Sequence, residues 1–243
     1  MDSAILFSYP RSGNTWVRYI IEVLTGRPTL GTPDNLLNDP PIWARFQGLP
    51  VNSMGDPVAL KRHTLIQIDE EDRTRPLIVV VRNYKESIIR VRNHSEESLR
   101  KFDFETERLL YFAPVEYYHR HDRKKLLLYY EDLINRPASV IIEIGAFFGL
   151  RPGDCDFFLE NYLEHRHRSV DAYAPTSSGS HTRGQTTIFH SLSLSTAERE
   201  RWDHSISSLD TEIYRKYLSR YREHDEASRC ESNDRLSKVA ANE

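Results

Sequence analysis

Short apolar runs alternate with longer amphipathic stretches along this chain. Four apolar runs predict buried strands, namely Ala4–Ser8, Val58–Lys61, Leu77–Val81 and Leu126–Tyr130. The run Leu77–Val81 is continuously apolar, which is typical of a parallel strand that is covered on both faces. Buried strands that alternate with helices indicate an α/β fold, with a mostly parallel central sheet between two helical layers.

Helix signals follow three of these strands. Apolar residues recur at helical spacing from Thr15 to Thr25, and Gly26 ends the pattern. After the third strand, Asn83 predicts an N-cap, with Glu86 as its capping-box partner. An amphipathic helix is also predicted between Pro137 and Gly149.

The C-terminal third contains two further helical patterns. One covers residues 154–164; the other begins at Ser195, with Glu198 in capping-box register, and continues to about Arg222. Segments 27–56 and 168–194 lack periodicity and are predicted to be irregular. We therefore expect one domain over residues 1–224, followed by a polar, disordered tail over residues 225–243.

Composition and charge exclude several classes of protein. The 243 residues carry a formal net charge of −3, which gives no overall attraction to nucleic acid or to an anionic membrane. The cysteines Cys155 and Cys230 lie far apart and match neither a disulfide framework nor a zinc motif. No apolar run reaches 18 residues, and the N-terminus lacks the basic segment of a signal peptide. A cytoplasmic protein is predicted, with no membrane partner.

The segment after the first strand has the features of an anion site. A strand, a tight glycine turn and a helix N-terminus gather backbone N–H groups around a negatively charged group. Gly13 allows close approach of the backbone, and Ser12 and Thr15 add hydroxyl donors. Arg11 supplies a fixed positive charge with forked donors that suit phosphate or sulfate oxygens.

The segment differs from the phosphate loop of nucleoside triphosphatases. It lacks the upstream glycine of that motif, and Asn14 occupies the position of its lysine. Cleavage of ATP or GTP is therefore disfavoured. A plain strand–turn–helix junction remains the alternative for an isolated glycine turn.

The sequence of residues 9–16, Tyr-Pro-Arg-Ser-Gly-Asn-Thr-Trp, resembles a known loop. Sulfotransferases that use 3′-phosphoadenosine-5′-phosphosulfate (PAPS) carry Tyr-Pro-Lys-Ser-Gly-Thr-Thr-Trp at their 5′-phosphosulfate site. Four further ordered motifs extend the resemblance over roughly residues 4–220. The resemblance implies the P-loop-like sulfotransferase fold, PAPS as donor, 3′,5′-adenosine diphosphate (PAP) as product, and no metal.

The resemblance gives each loop residue a role. It implies that the tryptophan Trp16 stacks on adenine, although an aromatic at helical spacing is also an ordinary core residue. Arg11 replaces the family's lysine; it can stabilise charge on the departing phosphate, but it cannot donate a proton at neutral pH. The 5′-phosphosulfate is assigned to Ser12, Gly13, Asn14 and Thr15.

The second motif supplies a candidate general base. Residues 60–63, Leu-Lys-Arg-His, resemble the family's Leu-Lys-Thr-His, in which the histidine is the base. Histidine suits this role because its ordinary pKa is about 6.5. His63 stands out among the ten histidines since it follows a strand and a matching Lys61, which is the candidate for orienting the sulfuryl group.

The remaining three motifs concern the nucleotide. Arg82 matches the 3′-phosphate arginine of the family, while Arg90 stands where the family has a serine and either contacts the phosphate or points into solvent. Ser87 is a nearby hydroxyl that we place on another side of that helix. Tyr130 matches a tyrosine near the adenine, with strand-end packing as the alternative. Residues 183–184, Arg-Gly, match part of a loop over the 3′-phosphate, and Arg183 and Gly184 are assigned there.

Two pairs of histidines are considered as metal ligands and set aside. His119 with His121, and His165 with His167, lie in charged segments predicted to be helical, where alternate residues point to different sides.

We therefore predict sulfuryl transfer from PAPS to a hydroxyl, or an amine, of a small-molecule or carbohydrate acceptor. A phosphotransferase that uses ATP and a catalytically silent module that binds PAP stay as alternatives. The oligomeric state is left open.

Overall fold

The computed structural model describes residues 3–31, 56–92, 100–171 and 194–222. Within these ranges, five strands form one sheet in the spatial order β2-β3-β1-β4-β5. Every pair of neighbouring strands in this sheet is parallel, so the predicted α/β fold is confirmed. The strands are β1 Ala4–Ser8, β2 Thr29–Leu30, β3 Ala59–Arg62, β4 Leu77–Val81 and β5 Lys125–Tyr129.

Helices connect the strands and cover the sheet. Three tight 3₁₀ turns, Leu65–Gln67, Asp72–Thr74 and Pro152–Cys155, also occur in the described part of the chain. The helices there are α1 Asn14–Thr25, α2 Tyr84–Arg92, α3 Phe104–Arg120, α4 Tyr130–Asn135, α5 Pro137–Phe147, α6 Asp156–Glu160, α7 Tyr162–Asp171, α8 Thr196–Ser207 and the single turn α9 Thr211–Ile213, followed by a π-helical turn, Tyr214–Leu218.

The strand β1 is buried along its whole length, and its side chains divide between two cores. Ala4 and Leu6 belong to the core cluster that also contains the apolar side of α1 and α5. Ile5 and Phe7 belong to the opposite cluster, with side chains of α2, α3 and α8. Because successive residues of a strand point to opposite faces, one short apolar run serves both helical layers.

The chain leaves β1 and β4 in opposite directions. These strands are neighbours in the sheet, with Ile5 beside Leu77. However, α1 after β1 packs on one face, whereas α2 after β4 packs on the other. Such a switch opens a crevice beyond the carboxyl ends of the two strands, which is where α/β proteins bind ligands.

Two elements were missed or only partly predicted from the sequence. The strand β2 lies in the segment that we expected to be irregular. Of the 17-residue helix α3, only the segment around His119 was predicted to be helical. The side chain of Asp103 accepts a hydrogen bond from the Thr106 N–H and caps α3, so a usable signal was present. The remainder of the two predicted irregular segments, and the predicted tail beyond residue 222, lie outside the described residues.

Two helix predictions were too simple. The predicted helix over residues 154–164 is divided into a 3₁₀ turn, α6 and α7. The predicted C-terminal helix does begin with a Ser195–Glu198 capping box, but it ends at Ser207. The side chain of Asp210 then caps a new helical turn by accepting from the Ile213 N–H at 2.9 Å. A local cap therefore outweighs the continuous apolar pattern.

No helix in the described ranges combines the length and the apolar character that crossing a membrane requires.

Candidate active site

The loop after β1 begins the site. Arg11 has a left-handed backbone (φ 66°), and Gly13 has φ 92° directly before α1. Gly13 is the N-cap of α1 and offers no side-chain cap. The first N–H groups of this 12-residue helix, and the positive end of its dipole, therefore face the loop. This arrangement is suited to an anion.

Tyr130 forms one wall of this loop. A Cβ atom at Gly13 would lie 2.3 Å from Cδ2 of Tyr130, so only glycine fits at this position. The guanidinium carbon of Arg82 lies 4.3 Å from the centre of the Tyr130 ring. Arg82 Nη1 also donates to the Arg11 carbonyl, at 3.4 Å. The loop, the end of β4 and the end of β5 therefore meet at this ring.

Three arginines concentrate positive charge here. Burial, and then the charge of Arg90, lower the pKa of Arg11. Burial and the charge of Arg82 lower the pKa of Arg90, while Glu86 acts in the opposite direction. The Nε of Arg90 lies 3.6 Å from Glu86 Oε2. Partly buried guanidinium groups that lie beside one another would be stabilised by a bound anion.

The histidine predicted as base lies at the same edge of the sheet. His63 Nδ1 is 2.7 Å from the Ser8 carbonyl oxygen. A carbonyl can only accept, so Nδ1 carries the hydrogen and Nε2 carries the lone pair of the neutral ring. The side chain of Gln67 accepts from the backbone N–H groups of His63, at 2.7 Å, and Thr64, at 3.3 Å. Lys61 lies two residues before the histidine on β3, paired with Leu6.

Two hydroxyls and one amide line the base of the loop. Ser12 Oγ lies 3.5 Å from Ser87 Oγ, and both residues are fully buried. Asn14 donates from Nδ2 to Ser8 Oγ at 3.0 Å, whereas Thr15 is half-buried at the start of α1. Ser87 was placed wrongly on another side of its helix from Arg90. Residues three apart are neighbours on a helix surface, so both approach the loop.

The predicted capping box of α2 is correct for Asn83 and wrong for Glu86. Asn83 Oδ1 accepts from the Lys85 N–H at 3.0 Å and confirms Asn83 as the cap. The Asn83 N–H donates to Glu131 Oε1 at 2.9 Å, a role that the sequence pattern gave to Glu86. Glu86 is drawn to Arg90 one turn along the helix instead.

Trp16 packs in the core cluster on the α1 side. Its ring stacks on Tyr19, with 5.5 Å between centroids, and also contacts Phe158 and Tyr162. Its buried Nε1 has no hydrogen-bond partner among the described residues. The alternative prediction of an ordinary core residue is confirmed, and adenine stacking stays a prediction.

The histidine pairs contact ordinary protein groups. His119 Nδ1 lies 3.2 Å from the Tyr217 hydroxyl, and His165 Nδ1 lies 2.9 Å from the Tyr19 hydroxyl. His121 Nε2 lies 3.1 Å from the Arg75 carbonyl oxygen. In the described part of the chain, no three His, Cys, Asp or Glu side chains are grouped as a metal site would require.

Comparison with known proteins decides the family. The model of the sulfotransferase domain matches residues 1–227 of this chain. The chain belongs to the sulfotransferase family. A comparison with curated protein sequences gave no significant match.

Solved structures support the same fold for this sulfotransferase domain. The mouse sulfotransferase SULT7A1 in complex with PAP is 17% identical, with a TM-score of 0.60 over 94% of this chain and 89% of that chain. A retinol dehydratase in complex with androsterone and the inactive cofactor PAP is 13% identical, with a TM-score of 0.57 over 85% and 80% of the two chains. At these identities the likeness establishes the fold, and the predicted P-loop-like sulfotransferase fold is confirmed.

Most of the site residues predicted for this sulfotransferase domain meet at one edge of its sheet. The exceptions are Trp16, which packs in the core cluster on the α1 side, and Arg183 and Gly184, which lie outside the described residues. The sequence motifs gave no role to Ser87 and Glu131, which also lie at the site. Glu131 directly follows Tyr130 in a matched motif, whereas Ser87 is marked only by its position after the end of β4. The residues that meet are Arg11, Ser12, Gly13, Asn14, Thr15, Lys61, His63, Arg82, Arg90 and Tyr130.

Proposed function

We propose that this sulfotransferase domain transfers the sulfuryl group of PAPS to an acceptor hydroxyl, with His63 as the general base. The observation that carries the proposal is the hydrogen bond from His63 Nδ1 to the Ser8 carbonyl. This bond ties the base to the residue that leads directly into the anion-binding loop. It also leaves the lone pair of the neutral ring on Nε2.

The residues present fit the nucleotide at both of its charged ends. The first turn of α1 and the side chains of Ser12, Asn14 and Thr15 would hold the 5′-phosphosulfate. Gly13 lies against Tyr130 and has no side chain, so the phosphosulfate could approach the loop backbone closely. Arg82 is supported by the Tyr130 ring and would hold the 3′-phosphate together with Arg90 and, as the sequence motif suggests, Arg183. PAP is bound in the similar structures of the mouse sulfotransferase and the retinol dehydratase, which supports this assignment.

The chain's own groups handle the proton and the developing charge. PAPS supplies the sulfuryl group and leaves as PAP when the acceptor oxygen forms its bond to sulfur. His63 takes the hydroxyl proton on Nε2. Arg11 stabilises the negative charge that shifts to the departing phosphate without giving up a proton, and Lys61 orients the sulfuryl group.

A small organic molecule or a carbohydrate is the proposed acceptor class. Two exposed apolar side chains, Leu65 and Ile66, follow His63 after Thr64, and Ile66 has 96% of its surface exposed. An acceptor that combines a hydroxyl with an apolar body would match both features. The retinol dehydratase structures contain androsterone in one case and retinol in the other, which are molecules of this type.

The test is incubation of the protein with labelled PAPS and a panel of phenols, steroids, lipids and sugars. His63→Ala should lower turnover about 10²–10⁴-fold while leaving PAP affinity nearly unchanged, because the base contacts the acceptor and not the nucleotide. Replacement of the exposed His167 by alanine is the matched control and should leave turnover unchanged. Full activity of His63→Ala, or displacement of PAP by equimolar ATP, would contradict the proposal.

A further inference from the structure

The peptide bond that follows Arg82 is held on both sides. Its carbonyl, that of Arg82, accepts from the Tyr111 hydroxyl at 2.6 Å. Its N–H, that of Asn83, donates to Glu131 Oε1 at 2.9 Å. These two side chains come from α3 and α4, so two separate helices fix one peptide unit at the end of β4. The direction in which the Arg82 side chain leaves the strand is thereby set.

Glu131 is in turn oriented by the C-terminal segment. Its second oxygen, Oε2, accepts from the hydroxyl of Tyr221 at 2.9 Å. Tyr221 is fully buried, and burial, followed by the charge of Glu131, raises its pKa well above the ordinary value. The phenol therefore keeps its proton and remains a donor. A carboxylate that accepts at both oxygens has little freedom to rotate.

The neighbouring residues strengthen the same contact. Arg220 donates to the two carboxylate oxygens of Asp132, at 2.9 and 2.7 Å. Two consecutive residues of the C-terminal segment therefore bind two consecutive residues of α4. Tyr130, the residue before Glu131, carries the Arg82 guanidinium on its ring at 4.3 Å. The short helix α4 thus fixes both the backbone and the side chain of Arg82.

We infer that Glu131 and Tyr221 are positioning residues that hold Arg82 in the geometry that binds the 3′-phosphate of the nucleotide. This inference rests on the proposed use of PAPS. It assigns a function to a pair that is 90 residues apart in the sequence and that would act through Arg82. Preorganisation of a charged group lowers the cost of ordering it on binding.

The test compares PAP with adenosine 5′-monophosphate, which lacks the 3′-phosphate, by calorimetric titration. Tyr221→Phe removes one hydrogen bond to a carboxylate and should weaken PAP binding by about tenfold. Glu131→Ala removes both bonds and should weaken it further. The affinity for the monophosphate should be unchanged in both variants, since that ligand does not engage Arg82.

Two variants separate positioning from general support of the fold. Tyr217→Phe removes a hydroxyl from the same segment, where it contacts only His119 among the described residues, and should leave both affinities unchanged. Glu131→Gln retains an acceptor for the Asn83 N–H and a donor for the Tyr221 hydroxyl. Unlike Glu131→Ala, it should therefore keep the PAP affinity of the wild-type protein. In an Arg82→Ala background, Tyr221→Phe should cause no further loss of PAP affinity.

The possible outcomes distinguish a failure of the proposed function from a failure of the positioning role. A wild-type protein that binds PAP no better than the monophosphate contradicts the proposed function and, with it, this inference. A wild-type preference for PAP that Tyr221→Phe leaves intact overturns the positioning role alone. Equal loss of affinity for both nucleotides in Tyr221→Phe also overturns it, because a merely structural role affects both ligands. If Glu131→Ala does not fold, Tyr221→Phe and Glu131→Gln decide whether the pair positions Arg82.

Discussion

At the scale of single residues, the loop depends on backbone conformations that few amino acids tolerate. Gly13 combines a positive φ with contact against an aromatic ring, so two separate reasons demand glycine there. Arg11 adopts a left-handed conformation with a full side chain, which is unfavourable for a residue of this size. Such strain at the end of β1 is consistent with a binding role for the loop.

Gly13→Ala should therefore abolish tight binding of PAP and destabilise the fold. The added methyl group would overlap Tyr130, and the backbone strain alone costs about 1–2 kcal/mol. Gly26→Ala is the matched control, since Gly26 also has a positive φ (63°) at the other end of α1, but its added Cβ meets no atom within 4 Å. In Gly26→Ala, urea unfolding should show only the loss of stability caused by backbone strain. PAP titration should show an unchanged affinity. Equal behaviour of the two variants would contradict the steric role of Tyr130.

At the scale of elements, α2 is anchored to α8 by a buried ion pair. Lys85 is fully buried, and its Nζ lies 2.8 Å from Asp203 Oδ1. The hydroxyl of Tyr84 donates to the same carboxylate. Because α2 carries Ser87 and Arg90, this contact holds the nucleotide side of the crevice in place. A desolvated ammonium depends strongly on its counter-charge.

Asp203→Asn should lower the free energy of unfolding by about 2–4 kcal/mol, because it removes the charge that compensates the buried Lys85 ammonium. Equilibrium urea denaturation measures this change. The more exposed pair formed by Arg151 and Asp154 supplies the comparison. Asp154→Asn should have little effect, since solvent screens that pair and asparagine keeps an acceptor for the Arg151 N–H. Similar small effects of both substitutions would show that Lys85 does not rely on Asp203.

At the scale of the whole molecule, the end of the described chain contacts α4, which follows the edge strand β5. Arg220 and Asp132 lie 88 residues apart in the sequence and form a two-bond ion pair. The hydrogen bonds from Arg220, followed by that from Arg136, lower the pKa of Asp132 from 3.8 to about 2. The pair therefore stabilises the folded protein only while this carboxyl is ionised.

The stability of the protein should consequently fall in acid. The folded-state pKa of Asp132 is depressed, so its contribution is complete above pH 4 and is lost as the pH falls from about 4 to about 2. Because Arg220 and Arg136 are partly exposed, we expect a loss of about 1–2 kcal/mol. Urea unfolding across this range measures it, and Asp132→Asn should remove this part of the pH dependence. An unchanged pH profile in Asp132→Asn would exclude the pair as its source.

Much of the fold could be predicted because its determinants are local. The continuous apolar run of Leu77–Val81 requires a strand that is covered on both faces, and Gly26 ends α1 as the pattern indicated. The start of α3 and the break after Ser207 were missed although each has a local cap, Asp103 and Asp210 respectively. The side chains of α3 and α8 share one core cluster with residues distant in the sequence, and local periodicity does not show which of them pack together.

By itself, the sequence determined the type of this protein: a parallel α/β domain with an anion-binding loop after β1, a histidine after β3 and an arginine after β4. These features follow from local pattern and motif order, since the carboxyl ends of parallel strands share one edge of the sheet. Only the tertiary structure decided which atoms meet there. The hydrogen-bonded nitrogen of His63, the contact of Gly13 with Tyr130 and the support of Arg82 by Glu131 and Tyr221 depend on packing between distant segments. Hydrogen bonds and steric contacts are decided over fractions of an ångström, and a pattern of residue types does not encode that precision.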